Sequence, residues 1–188
     1  MTSLVKTITR PAALVRPAAP SISAQEFIAF YDELYPRVYT YVRYRCNDHT
    51  TADDLTASIF ERALNYLDTY QSSIAPFSAW LFGIARNETN KYLRSLSTEE
   101  CLTIEVMRDH PDQDPTPEEG LIERENYHEL LSAMALLGNR ERDLLGLKFA
   151  SRFTNRQISE ITSLTESNVG IIIYRAIHKL RKNLQSST

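Results

Sequence analysis

Apolar residues recur along this chain at helical spacing, in blocks separated by Pro, Gly and short polar runs. Ser23 followed by Glu26 makes a capping box, after which Phe27, Phe30, Tyr31 and Leu34 share one helix face. Pro36 is expected to kink or split this helix, which Val38, Tyr41, Val42 and Arg45 continue until Asn47-Asp48 ends it. The next helix is expected to start at Thr50 or Thr51, with Asp53 and Asp54 in its first turn and Leu55, Ile59, Ala63 and Leu67 as its buried stripe. Residues 68–75 (DTYQSSIA) read as a loop. Pro76 suits the first turn of a third helix. There Phe77, Trp80, Leu81, Ile84, Ala85 and Tyr92 point inward or partly inward, and Asn87, Asn90, Lys91 and Arg94 form the polar side.

The periodicity lapses over residues 95–116, where the Pro- and Asp-rich HPDQDPTP reads as a linker. Thr116-Pro117-Glu118-Glu119 then opens a helix that Leu121, Ile122, Glu125, Leu130, Met134 and Leu137 carry to Gly138. Asn139 opens another, with Leu144, Leu145, Leu147 and Phe149 as core candidates. Thr154 and Gln157 make a second capping box, before a short helix in which Ile158 and Ile161 share a face. Ser163-Leu164 breaks the pattern, and Thr165 caps a longer helix. Val169, Ile172, Ile173, Ala176, Ile177 and Leu180 give that helix its apolar face. The opposite stripe carries Ser167, Asn168, Ile171, Arg175, His178 and Lys182. A short helix, a tight turn and a longer helix with a basic tail make a helix-turn-helix. An ordinary bundle helix with a solvated face fits the same pattern.

The predicted fold is therefore all-α: two small helical domains joined by an acidic flexible linker, the C-terminal one a helix-turn-helix. Residues 1–22 read as a flexible tail, 23–94 as the first domain, 95–116 as the linker and 117–188 as the second domain. The domains are expected to fold independently.

Composition sharpens this. The net charge is -3, but it is unevenly divided. Residues 95–120 carry 1 basic and 8 acidic side chains, whereas from Lys148 onward 7 are basic and 2 acidic. The acid gathers at the linker and the cations on the helix-turn-helix, which suits a nucleic-acid partner there. No apolar run nears the roughly 20 residues that span a bilayer, so no membrane insertion is expected. The opening MTSLVKTITRPAALVRPAAP lacks an export signal, so a cytoplasmic location is expected. Cys46 and Cys101 are the only cysteines, and Cys46 with His49 makes too small a ligand set for a metal. Glycine is scarce, and no phosphate-binding loop, metal motif or nucleophile elbow is present. An enzyme, a cofactor and a small-molecule substrate are therefore not expected.

Three strings carry a resemblance: TADDLTASIFERAL, PFSAWLFGIARNETNKYLR, and LLGNRERDLLGLKFA with the helix-turn-helix. Together they resemble bacterial RNA polymerase sigma factors of the sigma-70 family, in the small two-domain extracytoplasmic-function group. The resemblance implies a transcription initiation factor that binds core RNA polymerase and promoter DNA, with an anti-sigma factor as a further partner. It implies polymerase contact through Asp53, Asp54, Ala57, Ser58, Glu61 and Arg62. Recognition and melting of the minus-ten element fall to Tyr70, Gln71, Ser72, Trp80, Asn87, Lys91 and Arg94. Reading of the minus-thirty-five element falls to Arg152, Thr154, Arg156, Thr165, Ser167, Asn168, Ile171, Arg175, Lys179 and Lys182. The chain departs from the family at Ala57-Ser58, where Gln-Glu is usual, at Gly83, where a basic residue is frequent, and at Gly170–Ile172, where Lys or Arg is common. The alternative is a stand-alone helix-turn-helix regulator, against which the Trp80–Asn87 string argues.

Overall fold

The computed structural model describes residues 22–46, 48–99 and 119–185 of the chain. They form seven α-helices and no strand among the described residues: α1 (Ala24–Arg45), α2 (His49–Asn65), α3 (Phe77–Glu99), α4 (Glu119–Ala135), α5 (Asn139–Leu145), α6 (Asn155–Thr162) and α7 (Glu166–Gln185). A 3-10 turn, Leu67–Thr69, follows α2, and a π-helical turn, Gly146–Ala150, extends α5.

The caps show why helices start where they do. Ser23 accepts from the Glu26 amide at 3.2 Å while Glu26 accepts from the Ser23 amide at 2.8 Å, closing the expected capping box. Thr154 and Gln157 repeat it for α6. Thr165 accepts from the Asn168 amide at 3.2 Å and starts α7. Between α6 and α7, Ser163 turns the chain in the left-handed conformation at φ 59°.

Four expectations need correction. Pro36 does not split the first helix, which runs on through it to Arg45. Helix α2 is capped by Asp48, whose carboxylate accepts from the Thr51 amide at 2.6 Å, so Asp53 and Asp54 lie beyond its first turn. Helix α3 continues to Glu99, past the expected boundary at Arg94. Phe149, expected in the core, is 55% exposed. The π turn explains it: the Ser151 amide reaches back five residues to the Gly146 carbonyl, so the extra residue per turn swings Phe149 outward. The expected tail up to residue 21, and the linker from residue 100 to 116, lie outside the described residues, as does the Thr116-Pro117 helix start.

Helices α1 to α3 form one block around Leu34, Val38, Val42, Ile59, Ala63, Leu81 and Ala85. Helices α4 to α7 form another around Met134, Leu137, Leu144, Ile158, Val169, Ile173 and Ala176. Each fully buried Leu, Ile or Phe contributes about 1.5–3 kcal/mol, so both blocks have cores of useful size. The blocks also pack on each other. Helix α1 lies against α4, α5 and the π turn, α3 lies against α6, and the two cores are continuous. Phe82 of α3 meets Phe153 edge-to-face at 5.3 Å.

Candidate nucleic-acid interface

The residues singled out from the sequence fall on three surfaces. On α2, Asp54, Ala57, Ser58 and Glu61 are exposed and spaced three or four apart, so they share one face. Asp53 is half-buried and pairs with His49 at 2.7 Å. Arg62 leaves this group. Its guanidinium meets Glu88 of α3 at 3.1 Å and lies 5.4 Å from the centre of the Tyr66 ring.

Arg62 thereby joins the second surface. A hollow of about 250 Å³ opens between α2 and α3, lined by Arg62, Tyr66, Trp80, Ile84 and Asn87. An aromatic cluster supports its floor. Phe77 stacks on Phe30 at 4.4 Å, and Tyr70 contacts Phe77 at 5.4 Å and Trp80 at 5.5 Å. Tyr70 was expected at DNA but is 7% exposed, because its ring anchors the loop to this cluster. Gln71 and Ser72 are exposed on that loop, with Ile74 beside them at 77% exposure. Trp80 is half-buried, with one part of the ring in the core and another at the hollow. Asn87, Lys91 and Arg94 follow at helical spacing along an exposed face of α3.

The third surface is α7 with the end of α6. Ser167, Asn168, Ile171, Arg175, Lys179 and Lys182 are exposed, while Val169, Ile173 and Ala176 are buried as the periodicity requires. Several of the expected contacts already have local partners. Thr154 and Thr165 serve as caps, Arg156 faces Glu160 at 3.5 Å, and Lys179 bonds Glu141 at 2.6 Å. The bond to Lys179 is the main cause holding the Glu141 carboxyl below the usual carboxylate range. Arg152 is exposed and sits in the left-handed conformation at φ 58°. Tyr174 went unnoticed in the sequence, yet it is 72% exposed beside Gly170, Ile171 and Arg175. Its position three residues after Ile171 was the available signal.

Comparison with known proteins bears on the whole arrangement. The Sigma-70 region 2 family matches residues 30–99, which hold the first two surfaces. The ECF RNA polymerase sigma factor BldN of Streptomyces coelicolor is 29% identical over 161 residues, covering 86% of this chain and 61% of BldN. The ECF sigma factor SigX of Bacillus subtilis is 23% identical, covering 86% of this chain and 84% of SigX. Residues 30–99 thus match Sigma-70 region 2, and most of the chain is similar to extracytoplasmic-function RNA polymerase sigma factors. The chain spans less than two thirds of BldN's length but most of SigX. Its fold is that of the sigma factor RpoE from Bartonella quintana, solved with the anti-sigma factor NepR. That match has a TM-score of 0.70 at 21% identity, covering 86% of this chain and 98% of RpoE. No helix among the described residues is long and apolar enough to cross a membrane.

Proposed function

We propose that this protein is a sigma factor, a non-enzymatic initiation subunit that recruits core RNA polymerase to specific promoters and assists their melting. The observation that carries the reading is the hollow joining Arg62, Trp80 and Asn87, set within the stretch that matches Sigma-70 region 2. A half-buried indole beside an amide and a guanidinium can stack on and hydrogen-bond a base that has left the duplex. Gln71, Ser72, Lys91 and Arg94 extend that surface along the melted strand. Asp54, Ala57, Ser58 and Glu61 present a separate face of α2 to the polymerase, with Asp53 and Arg62 at its margins.

On α7, Ser167 and Asn168 reach base edges of the minus-thirty-five element, and Arg152, Arg175 and Lys182 reach phosphates. Tyr70 acts beneath the loop as its anchor. The relatives point the same way: BldN and SigX are RNA polymerase sigma factors, and RpoE is bound by an anti-sigma factor. An anti-sigma partner and a cytoplasmic location complete the reading.

Run-off transcription with purified core polymerase on a random promoter library tests it. The expected result is transcripts from a defined subset of templates, present only when the sigma factor is added. Retention of DNA by the protein alone, with no transcript from any template, would instead identify a stand-alone regulator.

A further inference from the structure

The two blocks meet along a seam that is tight in one place and hollow in another. A Cβ on Gly146 of the π turn would stand 2.7 Å from Cδ2 of Tyr41, a fully buried ring of α1. The Tyr41 hydroxyl donates to Asp143 Oδ1 at 2.8 Å. Asp143 also lines a hollow of about 270 Å³. Arg45, Arg86 and Asn90 of the first block and Asn139 and Arg140 of the second line it too.

The charges around this hollow do not balance. Three guanidiniums line it against one carboxylate, and that carboxylate is already engaged. Asp143 is 5% exposed; its Oδ1 also accepts from Arg45 Nη1 at 2.7 Å, and Oδ2 accepts from Arg86 Nε at 2.8 Å. Arg45 is 3% exposed, yet its Nε has no hydrogen-bond partner among the described residues. A further cation crowds it. Arg142 donates to the Arg45 carbonyl at 3.2 Å, and burial, then the charge of Arg45, lower the Arg142 pKa. Buried guanidiniums short of acceptors are costly, and an anion beside them offsets that cost.

The polar groups still available are donors. Nη1 and Nη2 of Arg86 make no hydrogen bond among the described residues, and neither does the Arg140 guanidinium. The Asn90 carboxamide oxygen accepts from Arg45 Nη2 at 2.8 Å, and that of Asn139 from Arg142 Nη2 at 2.7 Å. Each amide therefore has its NH2 left to give.

We propose that this hollow is a binding site for a small phosphate-bearing anion, either inorganic phosphate or a compact phosphate monoester. A flat carboxylate fills one guanidinium fork, whereas a tetrahedral phosphate presents oxygens in several directions. Here the spare donors come from four side chains on α3 and α5, which suits the tetrahedral ion. The volume lies just under the roughly 300–1,000 Å³ of sites for drug-sized ligands, so the anion is a small one. Because α3 and α5 belong to different blocks, the bound anion ties them together and raises resistance to unfolding. The proposal stands apart from the function proposed above, which uses none of these four side chains.

Isothermal titration calorimetry on the full chain, in phosphate-free buffer at fixed ionic strength, tests it. Inorganic phosphate should bind one-to-one with a Kd below about 1 mM and should raise the thermal midpoint. Acetate should do neither. Arg140→Gln should weaken phosphate binding at least about tenfold, the loss of one charge-assisted hydrogen bond. Arg140 is exposed and holds nothing else among the described residues, so this variant keeps the fold. Arg86→Gln should weaken binding likewise. It also loses the bond to Asp143, so Arg140→Gln decides if Arg86→Gln does not fold. Arg181→Gln removes the same charge from an exposed position on α7 outside the hollow and should leave the Kd unchanged.

A nucleoside 5′-monophosphate titrated in parallel separates the two sources. Binding at least as tight as that of inorganic phosphate assigns the site to monoesters, and weaker binding assigns it to the free ion. Absence of saturable phosphate binding would overturn the proposal. So would equal responses to phosphate and acetate, which would leave the hollow as unspecific positive charge. Equal losses in Arg140→Gln and Arg181→Gln would overturn it as well, by placing the phosphate elsewhere on the surface.

Discussion

Single residues on this scaffold separate into those that hold it and those left over for a partner. Ile171 belongs to the second group. It is 49% exposed on α7, almost opposite the buried line of Val169, Ile173 and Ala176, so it fills no core. Gly170 beside it adds no bulk, and a Cβ there would stand 3.5 Å from the Asn155 amide nitrogen. An aliphatic side chain in that position can pack on a thymine methyl in the major groove. Ile171→Ala is therefore expected to weaken binding to the upstream element by about 1 kcal/mol, and the loss should vanish on a template carrying uracil for thymine. Equal losses on both templates, measured by fluorescence anisotropy, would move Ile171 to a protein-binding surface instead. The departure from the family's cationic pattern at Gly170–Ile172 then reads as a change in what is recognised, from phosphate charge to a base methyl. Tyr174 widens the same apolar strip.

Helices were the most legible level, because capping and periodicity are local. Ser23 with Glu26 and Thr154 with Gln157 could be read from a three-residue spacing, and both boxes are present. Asp48 was missed because Thr50 and Thr51 offered equivalent caps two and three residues on. Phe149 was misplaced because a 3.6-residue period cannot anticipate a π turn. Where one helix carries two faces, the faces can be tested apart. Asp54 and Glu61 lie on the exposed side of α2, away from buried Ile59 and Ala63. Reversing both charges is expected to cost roughly 1–3 kcal/mol in affinity for core polymerase while leaving the thermal midpoint unchanged. Unchanged affinity would dismiss this face as the polymerase contact. Asn87 and Lys91 stand four apart on exposed α3. Changing both to Ala should alter stability by no more than about 0.5 kcal/mol yet reduce permanganate-detected promoter melting. Normal melting would leave them as plain solvated positions.

At the scale of the molecule the sequence was least informative, and the reason is physical. Amphipathic patterns announce that a helix buries one face but not which helix covers it. Tyr41 and Arg45 read only as continuing the stripe of the first helix, while Asp143 sits in NRERDLL with no spacing signal at all. Their partnership spans about a hundred residues of chain, and only tertiary packing creates it. Two blocks joined by an acidic segment suggested independent units; a continuous core predicts instead that they unfold together. Trp80, the only tryptophan, reports on the first block, whereas far-UV circular dichroism averages the helices of both. If the seam couples them, thermal unfolding followed by Trp80 fluorescence and by dichroism should give one coincident transition, as two-state behaviour requires. Gly146→Ala should split the curves, because each block keeps its own core but loses its neighbour's contribution. The block that depended more on the seam should melt first. The C-terminal one is the expected candidate, since Leu147, Ala150 and Phe153 lie on and beside the π turn that rests against α1. Non-coincident transitions already present in the unaltered chain would show that the seam contributes too little to bind the blocks into one unit.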